Sequence, residues 1–192
     1  MPILRIRRGG ALQAIASFFF KLLMVLSVAI VFCIARTFNI QHMSSLAIDG
    51  LTQWIYLPSG IRLVAVVIFG WLGAAGIFFG WIFCHVFNNE KTLYECMFIG
   101  VISGLTALIS LRIWRLAFGV NEVLVQLNLR LLVSLVIVSA FISALVRFAY
   151  IFSVDSKASL LEIFTVGFIG DILGSFIVLY LIKLIFFIKK QL

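Results

Sequence analysis

Long apolar segments joined by short polar links are the feature that most constrains how this chain can fold. A helix needs about 20 predominantly apolar residues to cross the hydrocarbon core of a bilayer. Of the 192 residues, 64% are hydrophobic and 11% are charged, whereas soluble domains average about 45–50% apolar and about 25% charged residues. We therefore predict an all-α protein, a polytopic transmembrane helical bundle in which residues 1–192 form a single integral membrane domain.

The formal net charge of +8 invites a comparison with nucleic-acid-binding proteins, but the cations are distributed differently. They lie mainly at the ends of the apolar segments, where they suit anionic lipid head groups and cytoplasmic loops. The residues concerned are Arg5, Arg7, Arg8, Arg112, Arg115, Lys189 and Lys190. We therefore expect the lipid bilayer to be a partner of this chain and nucleic acid not to be one.

The order of apolar and polar stretches predicts a basic cytoplasmic lead at residues 1–10 and a helical bundle at residues 11–190. A polar link is expected at residues 37–45, a tight turn at residues 70–73, and an amphipathic interfacial segment at residues 112–126. The predicted helices cover about residues 11–36, 44–69, 74–87, 92–111, 127–150 and 160–188.

The placement of positive charge predicts the topology. Cytoplasmic loops carry an excess of Lys and Arg, so the basic residues near both ends of the chain predict cytoplasmic N- and C-termini. Two termini on one side require an even number of crossings. Treating residues 61–87 as one span gives five crossings and puts Arg112 and Arg115 outside, whereas a turn at residues 70–73 gives six and puts them inside. We therefore predict about six spans.

The second predicted helix contains Pro58, Ser59 and Gly60 near its middle. Proline and glycine are tolerated inside a transmembrane helix only where neighbouring groups satisfy the freed backbone polar atoms. We therefore predict that this helix is broken at Pro58–Gly60, with each half too short to span a bilayer alone.

A cation follows this break at Arg62, and a buried arginine in a membrane requires a partner or a water-filled cavity. Asp171, which interrupts the last apolar segment, is the partner that we expect. Two interpretations remain open. Arg62 and Asp171 form either a polar binding site for an anionic group, with Ser59, Asp49 and Ser175 as candidates to extend it, or a structural ion pair that locks the second helix to the sixth.

Pairs of glycines four residues apart predict close contacts between helices, because small residues let helix backbones approach each other in lipid. The alternative is that these glycines only reflect the high glycine content of membrane helices. The pairs are Gly76 and Gly80, Gly100 and Gly104, and Gly170 and Gly174.

Neither a metal nor a cofactor is predicted. The three cysteines, Cys33, Cys84 and Cys96, lack CxxC spacing and are interpreted as buried free thiols. His42 and His85 are of the residue type that binds haem or copper, but they do not share one helix at ligand spacing, so interfacial histidines are favoured. We find no nucleophile elbow, P-loop, HExxH motif or paired-carboxylate motif, and we expect no catalysis. The alternative is a lipid-acting or redox membrane enzyme, which would need a cofactor.

Two further ion pairs are expected near the ends of apolar segments. Arg147 and Glu162 fall on the same predicted side of the membrane, where a salt bridge at its outer edge is favoured. Lys91 and Glu95 lie one helical turn apart, which is typical of a solvated pair on a helix surface.

Three motifs, taken in order, resemble the MASE-type membrane-associated sensor domain of the first subtype. They are YLPSGIRL at residues 56–63, FGWLGAAGIFFG at residues 69–80, and GDILG at residues 170–174. Members of that family have an aromatic-Pro-small-Gly turn, then a Gly-Ile-Phe-x-Gly step, and near their end a Gly-Asp-x-x-Gly step. The resemblance covers residues 56–184 and implies a helical membrane domain of the bacterial inner membrane.

The resemblance also implies a role. Family members are usually larger and are fused to a cytoplasmic signalling domain, whereas this chain ends at Leu192. We therefore expect a sensor-type or accessory module that binds a ligand or a membrane protein partner and has no catalysis of its own. The alternative is a small solute carrier, or a substrate-binding membrane subunit, with its site at the broken helix.

Overall fold

The computed structural model describes residues 7–43, 45, 47, 52–88, 92–120, 128–154 and 159–191, without the side chains of residues 7–12, 154, 160 and 186–191. These residues form six α-helices, and five of them are long and apolar enough to cross a membrane. The predicted all-α transmembrane bundle is therefore confirmed. The helices are α1 (Arg7–His42), α2 (Leu57–Phe69), α3 (Trp71–Asn88), α4 (Leu93–Phe118), α5 (Leu129–Val154) and α6 (Leu160–Gln191).

The five long helices are neighbours in the order α1, α3, α4, α5 and α6, and α2 contacts every one of them. The helices α1 and α3 run in the same direction, because Nδ2 of Asn88 at the end of α3 donates to Oγ1 of Thr37 near the end of α1 at 3.0 Å. The helices α4 and α5 run in opposite directions, because Trp114 near the end of α4 donates to Ser134 near the start of α5 at 2.8 Å. The short helix α2 therefore occupies the middle of the bundle.

The helix α2 begins at Leu57, with Pro58 in its first turn. Proline is favoured there because its missing N–H would have no partner in the helix and its fixed φ suits the first turn. It also disfavours a helical residue before it. The described residues 52–56 are accordingly not helical. The prediction that a helix precedes a break at Pro58–Gly60 is therefore wrong for residues 52–56, because the helix begins where the break was predicted.

The 13 residues of α2 extend about 20 Å, which is less than the hydrocarbon thickness of about 30 Å. Residues 52–56 precede α2 as irregular backbone. This backbone and α2 together occupy the position of the second of the six predicted crossings. Irregular backbone is tolerated at membrane depth only where protein groups or a water-filled cavity satisfy it.

Several helix boundaries differ from the prediction. The helix α1 continues to His42, so most of the predicted polar link at residues 37–45 is helical. The first part of the predicted interfacial segment, residues 112–118, belongs to α4. The reason is that Trp114 is fully buried and continues the core-facing side of that helix. Residues 121–127 lie outside the described residues. The turn before α3 is confined to Gly70, which has a φ of 56°.

Four of the predicted packing glycines lie where helices approach closely, and any side chain there would meet the next helix. A Cβ atom at Gly76 would lie 2.5 Å from the Cβ of Val28 on α1, and one at Gly104 would lie 2.8 Å from the carbonyl oxygen of Ala74 on α3. Both distances are shorter than van der Waals contact. The four glycines are Gly76 and Gly80, which face α1, and Gly100 and Gly104, which face α3.

Candidate functional site

The irregular backbone before α2 passes directly over the third glycine pair. The backbone N–H of Tyr56 donates to the carbonyl oxygen of Gly170 on α6 at 3.1 Å. A Cβ atom at Gly170 would collide with the carbonyl oxygen of Gln53, and one at Gly174 would collide with that of Tyr56. These two glycines therefore make room for an irregular segment of chain and not, as predicted, for another helix.

Asn39, near the end of α1, satisfies further polar groups of this segment. Its Nδ2 donates to the carbonyl oxygen of Ile55 at 3.0 Å and to Oε1 of Gln53, and its Oδ1 accepts the N–H of Leu57 at 2.9 Å. Only 1% of Asn39 is exposed. Sequence reasoning missed this residue because it assigned Asn39 to a polar link between helices.

Ser59 and Gly60 attach the start of α2 to α6. The hydroxyl oxygen of Ser59 lies 2.7 Å from the carbonyl oxygen of Tyr56, 2.9 Å from that of Asp171, and 3.3 Å from Oγ of Ser175. A Cβ atom at Gly60 would lie 2.9 Å from Cα of Ser175, so the two backbones nearly touch. This attachment sets the position of Arg62, which follows within one helical turn.

Arg62 and Asp171 face each other in the interior, as predicted, with Nη2 of Arg62 3.4 Å from Oδ2 of Asp171. The side chain of Asp171 is 1% exposed and that of Arg62 is 9% exposed. Arg62 also donates to Oγ of Ser143 on α5 at 2.6 Å and to Oγ of Ser103 on α4 at 3.4 Å. This one side chain therefore connects α2 to α4, α5 and α6.

Arg147 on α5 joins the same carboxylate, with its Nη2 3.3 Å from Oδ1 and 3.4 Å from Oδ2 of Asp171. Its side chain is 10% exposed, and its guanidinium lies 5.7 Å from the ring centroid of Tyr56. On α6, the lack of a side chain at Gly167 leaves space for Nη1 of Arg147. The predicted pair between Arg147 and Glu162 is therefore wrong, and Glu162 is exposed.

A pattern in α5 indicates the inward position of Arg147. Ser139, Ser143 and Arg147 are spaced four residues apart, which places them on one helix face, and both serines are buried. An interior polar stripe in an otherwise apolar helix predicts that Arg147 faces the bundle interior. Sequence reasoning considered only the position of Arg147 near the predicted helix end.

The cluster formed by Arg62, Arg147 and Asp171 contains two guanidinium groups and one carboxylate, and so carries a formal charge of +1. Both arginines line a cavity of about 70 Å³. Nε of Arg62, Nη1 of Arg147 and Nε1 of Trp81, which also lines the cavity, are buried without a hydrogen-bond partner among the described residues. The cavity can hold a few water molecules or a small anionic group.

The other candidate groups lie away from this cluster. Cys33, Cys84 and Cys96 are buried, and none of them is part of a disulfide among the described residues. The ring of His42 lies 4.6 Å from that of Phe38, and His85 is half-buried. Within the described part of the chain, no group of three or more His, Cys, Asp or Glu residues could hold a metal ion. Asp49 and Lys91 lie outside the described residues, so their predicted roles remain predictions; Glu95 binds Thr92 at the start of α4.

The chemistry available at the cluster is the recognition of an anion. Guanidinium groups donate strong, charge-assisted hydrogen bonds to carboxylates and phosphates, and such bonds are stronger where water is excluded. No protein-family model, curated protein or solved structure matches this chain. The geometry of the cluster and its cavity is therefore the basis for assigning a function.

Proposed function

We propose that this protein is an integral membrane binding module of the sensor type, which takes an anionic group into the cavity beside Arg62 and Arg147 and has no catalysis of its own. The observation that carries this proposal is the surplus charge of the cluster. Two guanidinium groups, each about nine-tenths buried, share the single carboxylate of Asp171. A buried charge without compensation is costly in a membrane interior, and a bound anion would remove that cost.

A purely structural role accounts for less of the geometry. A pair that only locks α2 to α6 needs one cation for the carboxylate of Asp171, and Arg62 supplies it. Arg147 adds a second cation from α5, and hydrogen-bond donors of both arginines have no partner among the described residues. The second arginine and the unused donors favour a ligand over a lock.

The sensor-type assignment is supported by the contact between two of the motifs on which the family resemblance depends. The motif at residues 56–63 and the motif at residues 170–174 lie far apart in sequence, yet Tyr56 binds Gly170 and Arg62 binds Asp171. In this proposal the bound ligand changes the packing of α2 against α6, and a membrane protein partner binds differently to the two arrangements.

We place the protein in the inner membrane of a bacterium, with both termini cytoplasmic. The helices α1 and α5 begin, and α4 and α6 end, at the same end of the bundle. That end carries a cluster of basic residues, and cytoplasmic ends are enriched in such residues. The basic residues there are Arg7, Arg8, Arg112, Arg115, Arg130, Lys189 and Lys190.

Anion binding is tested with the protein in nanodiscs of zwitterionic lipid. Sodium acetate, at constant ionic strength, should raise Tm in a saturable manner, and Arg147→Gln should abolish the rise because it removes the surplus cation. Arg115→Gln, which changes an exposed arginine on α4, is the matched control and should keep the rise. An equal response of the wild-type protein and Arg147→Gln would refute the proposed site.

The proposed partner is tested by extraction from native membranes in a mild detergent. A membrane protein should copurify with this chain, and it should not do so after extraction in a harsh detergent. A protein that remains monomeric and without a partner in the mild detergent contradicts the accessory role, although it leaves the anion site intact.

A small solute carrier is the second candidate, and the irregular segment at residues 52–56 favours it. Carriers place substrate sites at discontinuous helices near the middle of the membrane. Solute flux into proteoliposomes, abolished by Arg62→Ala, would support this alternative. Binding without flux across a panel of small carboxylates would support the sensor-type module.

A further inference from the structure

The ligand of this cavity can be specified further from a groove beside it, and this step rests on the proposed function. We infer that the ligand is a long-chain carboxylate, which enters sideways from the bilayer. Its carboxylate binds at Arg62 and Arg147, and its hydrocarbon chain lies in the groove between α4 and α5.

The groove is apolar and open toward the lipid. It has a volume of about 630 Å³, within the range of roughly 300–1,000 Å³ that small-molecule sites occupy. Phe98, Leu105 and Ile109 line it, and each of these α4 side chains is between 42% and 49% exposed. The groove therefore offers an apolar surface on which a hydrocarbon chain can lie.

The groove and the charged cavity share a wall. Ile102 and Thr106 of α4 and Val146 and Tyr150 of α5 line both of them. The hydroxyl of Thr106 already donates to the carbonyl oxygen of Ile102 at 2.7 Å. Its proton is therefore not available to bind an anionic head group at the wall. An anionic head group can leave the groove for the cavity by passing these four side chains.

The dimensions suit a long chain. From Tyr94 to Ile109, which both line the groove, α4 rises by about 22 Å. The wall shared with the cavity lies between these two residues, at Ile102 and Thr106. From the wall to Tyr94, α4 rises by about 12–18 Å, so a chain whose head group enters at the wall has that length of groove in which to lie.

Charge and volume select the head group. The cluster carries a formal charge of +1, so one monoanion neutralises it, whereas a doubly charged phosphate would leave a net negative charge in the interior. The cavity of about 70 Å³ has room for a carboxylate. Glu95 is the acidic residue of the groove lining. Its carboxylate accepts hydrogen bonds from the N–H and the hydroxyl of Thr92 at the start of α4, and it does not line the charged cavity.

The test uses the full chain in nanodiscs of zwitterionic lipid, with palmitate, hexadecanol and acetate as probes. Palmitate should bind with an affinity at least about tenfold higher than either of the others, because it alone has both the chain and the charge. Arg147→Gln should lower palmitate affinity by about tenfold or more, since it removes a charge-assisted contact. Hexadecanol affinity should not change.

A groove variant separates the chain from the head group. Ala149→Trp fills the groove at an exposed position that does not line the cavity, so it should weaken palmitate binding and leave the response to acetate unchanged. Val101→Trp, at an exposed position of α4 that lines neither the cavity nor the groove, is the matched control and should bind palmitate normally.

The outcomes distinguish this inference from the proposed function. Acetate binding that depends on Arg147, with palmitate no tighter than acetate, overturns the long-chain ligand and leaves the anion site standing. Hexadecanol binding as tight as palmitate overturns the role of the charge. If neither acetate nor palmitate binds, both the inference and the proposed site are wrong.

Discussion

The guanidinium of Arg147 reaches both carboxylate oxygens of Asp171, with Nη2 3.3 Å from Oδ1 and 3.4 Å from Oδ2. The same carboxylate also binds Arg62 at 3.4 Å. One acid, 1% exposed, therefore serves two buried cations from different helices, and α2, α5 and α6 meet at it.

Replacing the shared acid should destabilise the bundle strongly. Asp171→Asn leaves two guanidinium groups buried with no carboxylate, and breaking a buried ion pair in this way costs about 3–5 kcal/mol. The free energy of unfolding, measured by denaturant titration in mixed micelles, should fall by about that amount. Glu162→Gln removes an exposed acid from the same helix and should change it by less than about 0.5 kcal/mol. Equal effects of the two variants would contradict the buried cluster.

Removing one of the two cations should be milder than removing the acid. Arg147→Gln loses hydrogen bonds to a charged group, which costs about 1.5–3 kcal/mol, but it also removes a buried charge without compensation and leaves Arg62 and Asp171 as a balanced pair. Because the two effects oppose each other, the net loss should be less than about 1.5 kcal/mol. The same unfolding titration measures it beside Asp171→Asn. An Arg147→Gln protein as unstable as the Asp171→Asn protein would mean that the second arginine is not surplus.

A single methyl group at Gly170 should displace the irregular segment. Alanine favours a helix over glycine by about 1 kcal/mol, but here its Cβ atom would collide with the carbonyl oxygen of Gln53. Overpacking against backbone typically costs about 1–3 kcal/mol, so Gly170→Ala should lower Tm. At Gly100 the nearest atoms lie 3.2 Å or more from the added Cβ, and Gly100→Ala should be tolerated better. The reverse order would contradict the contact.

Asn39 should be required for the path of the chain into α2. Asn39→Ala leaves the carbonyl of Ile55 and the N–H of Leu57 without the bonds that Asn39 makes, and each buried unpaired group costs about 1–3 kcal/mol. Hydrogen exchange at Leu57 should accelerate, and Tm should fall. Gln41→Ala, at an exposed position two residues away, is the control; if both variants exchange alike, Asn39 does not hold this segment.

The site was only partly predictable. The sequence predicts the pair of Arg62 and Asp171 because each is a charge inside an apolar segment. Pairing the two charges lowers the free-energy cost of burying both. The position of Arg147 near a predicted helix end, taken alone, points to the wrong acid, whereas the four-residue spacing of Ser139, Ser143 and Arg147 indicates its inward position. The role of Asn39 was not predictable, because the sequence does not distinguish a buried asparagine from one in a polar link between helices.

The amino-acid sequence alone determined that this chain forms apolar helices for a bilayer, because the length and composition of its segments leave no other way to satisfy the backbone. The tertiary structure decided what Pro58 does. A proline inside an apolar run is consistent with either a kink or a helix start, and the difference depends on whether other parts of the chain satisfy the backbone before it. Asn39 and Gly170 do so from α1 and α6, and contacts over such sequence distances exist only once the helices have packed.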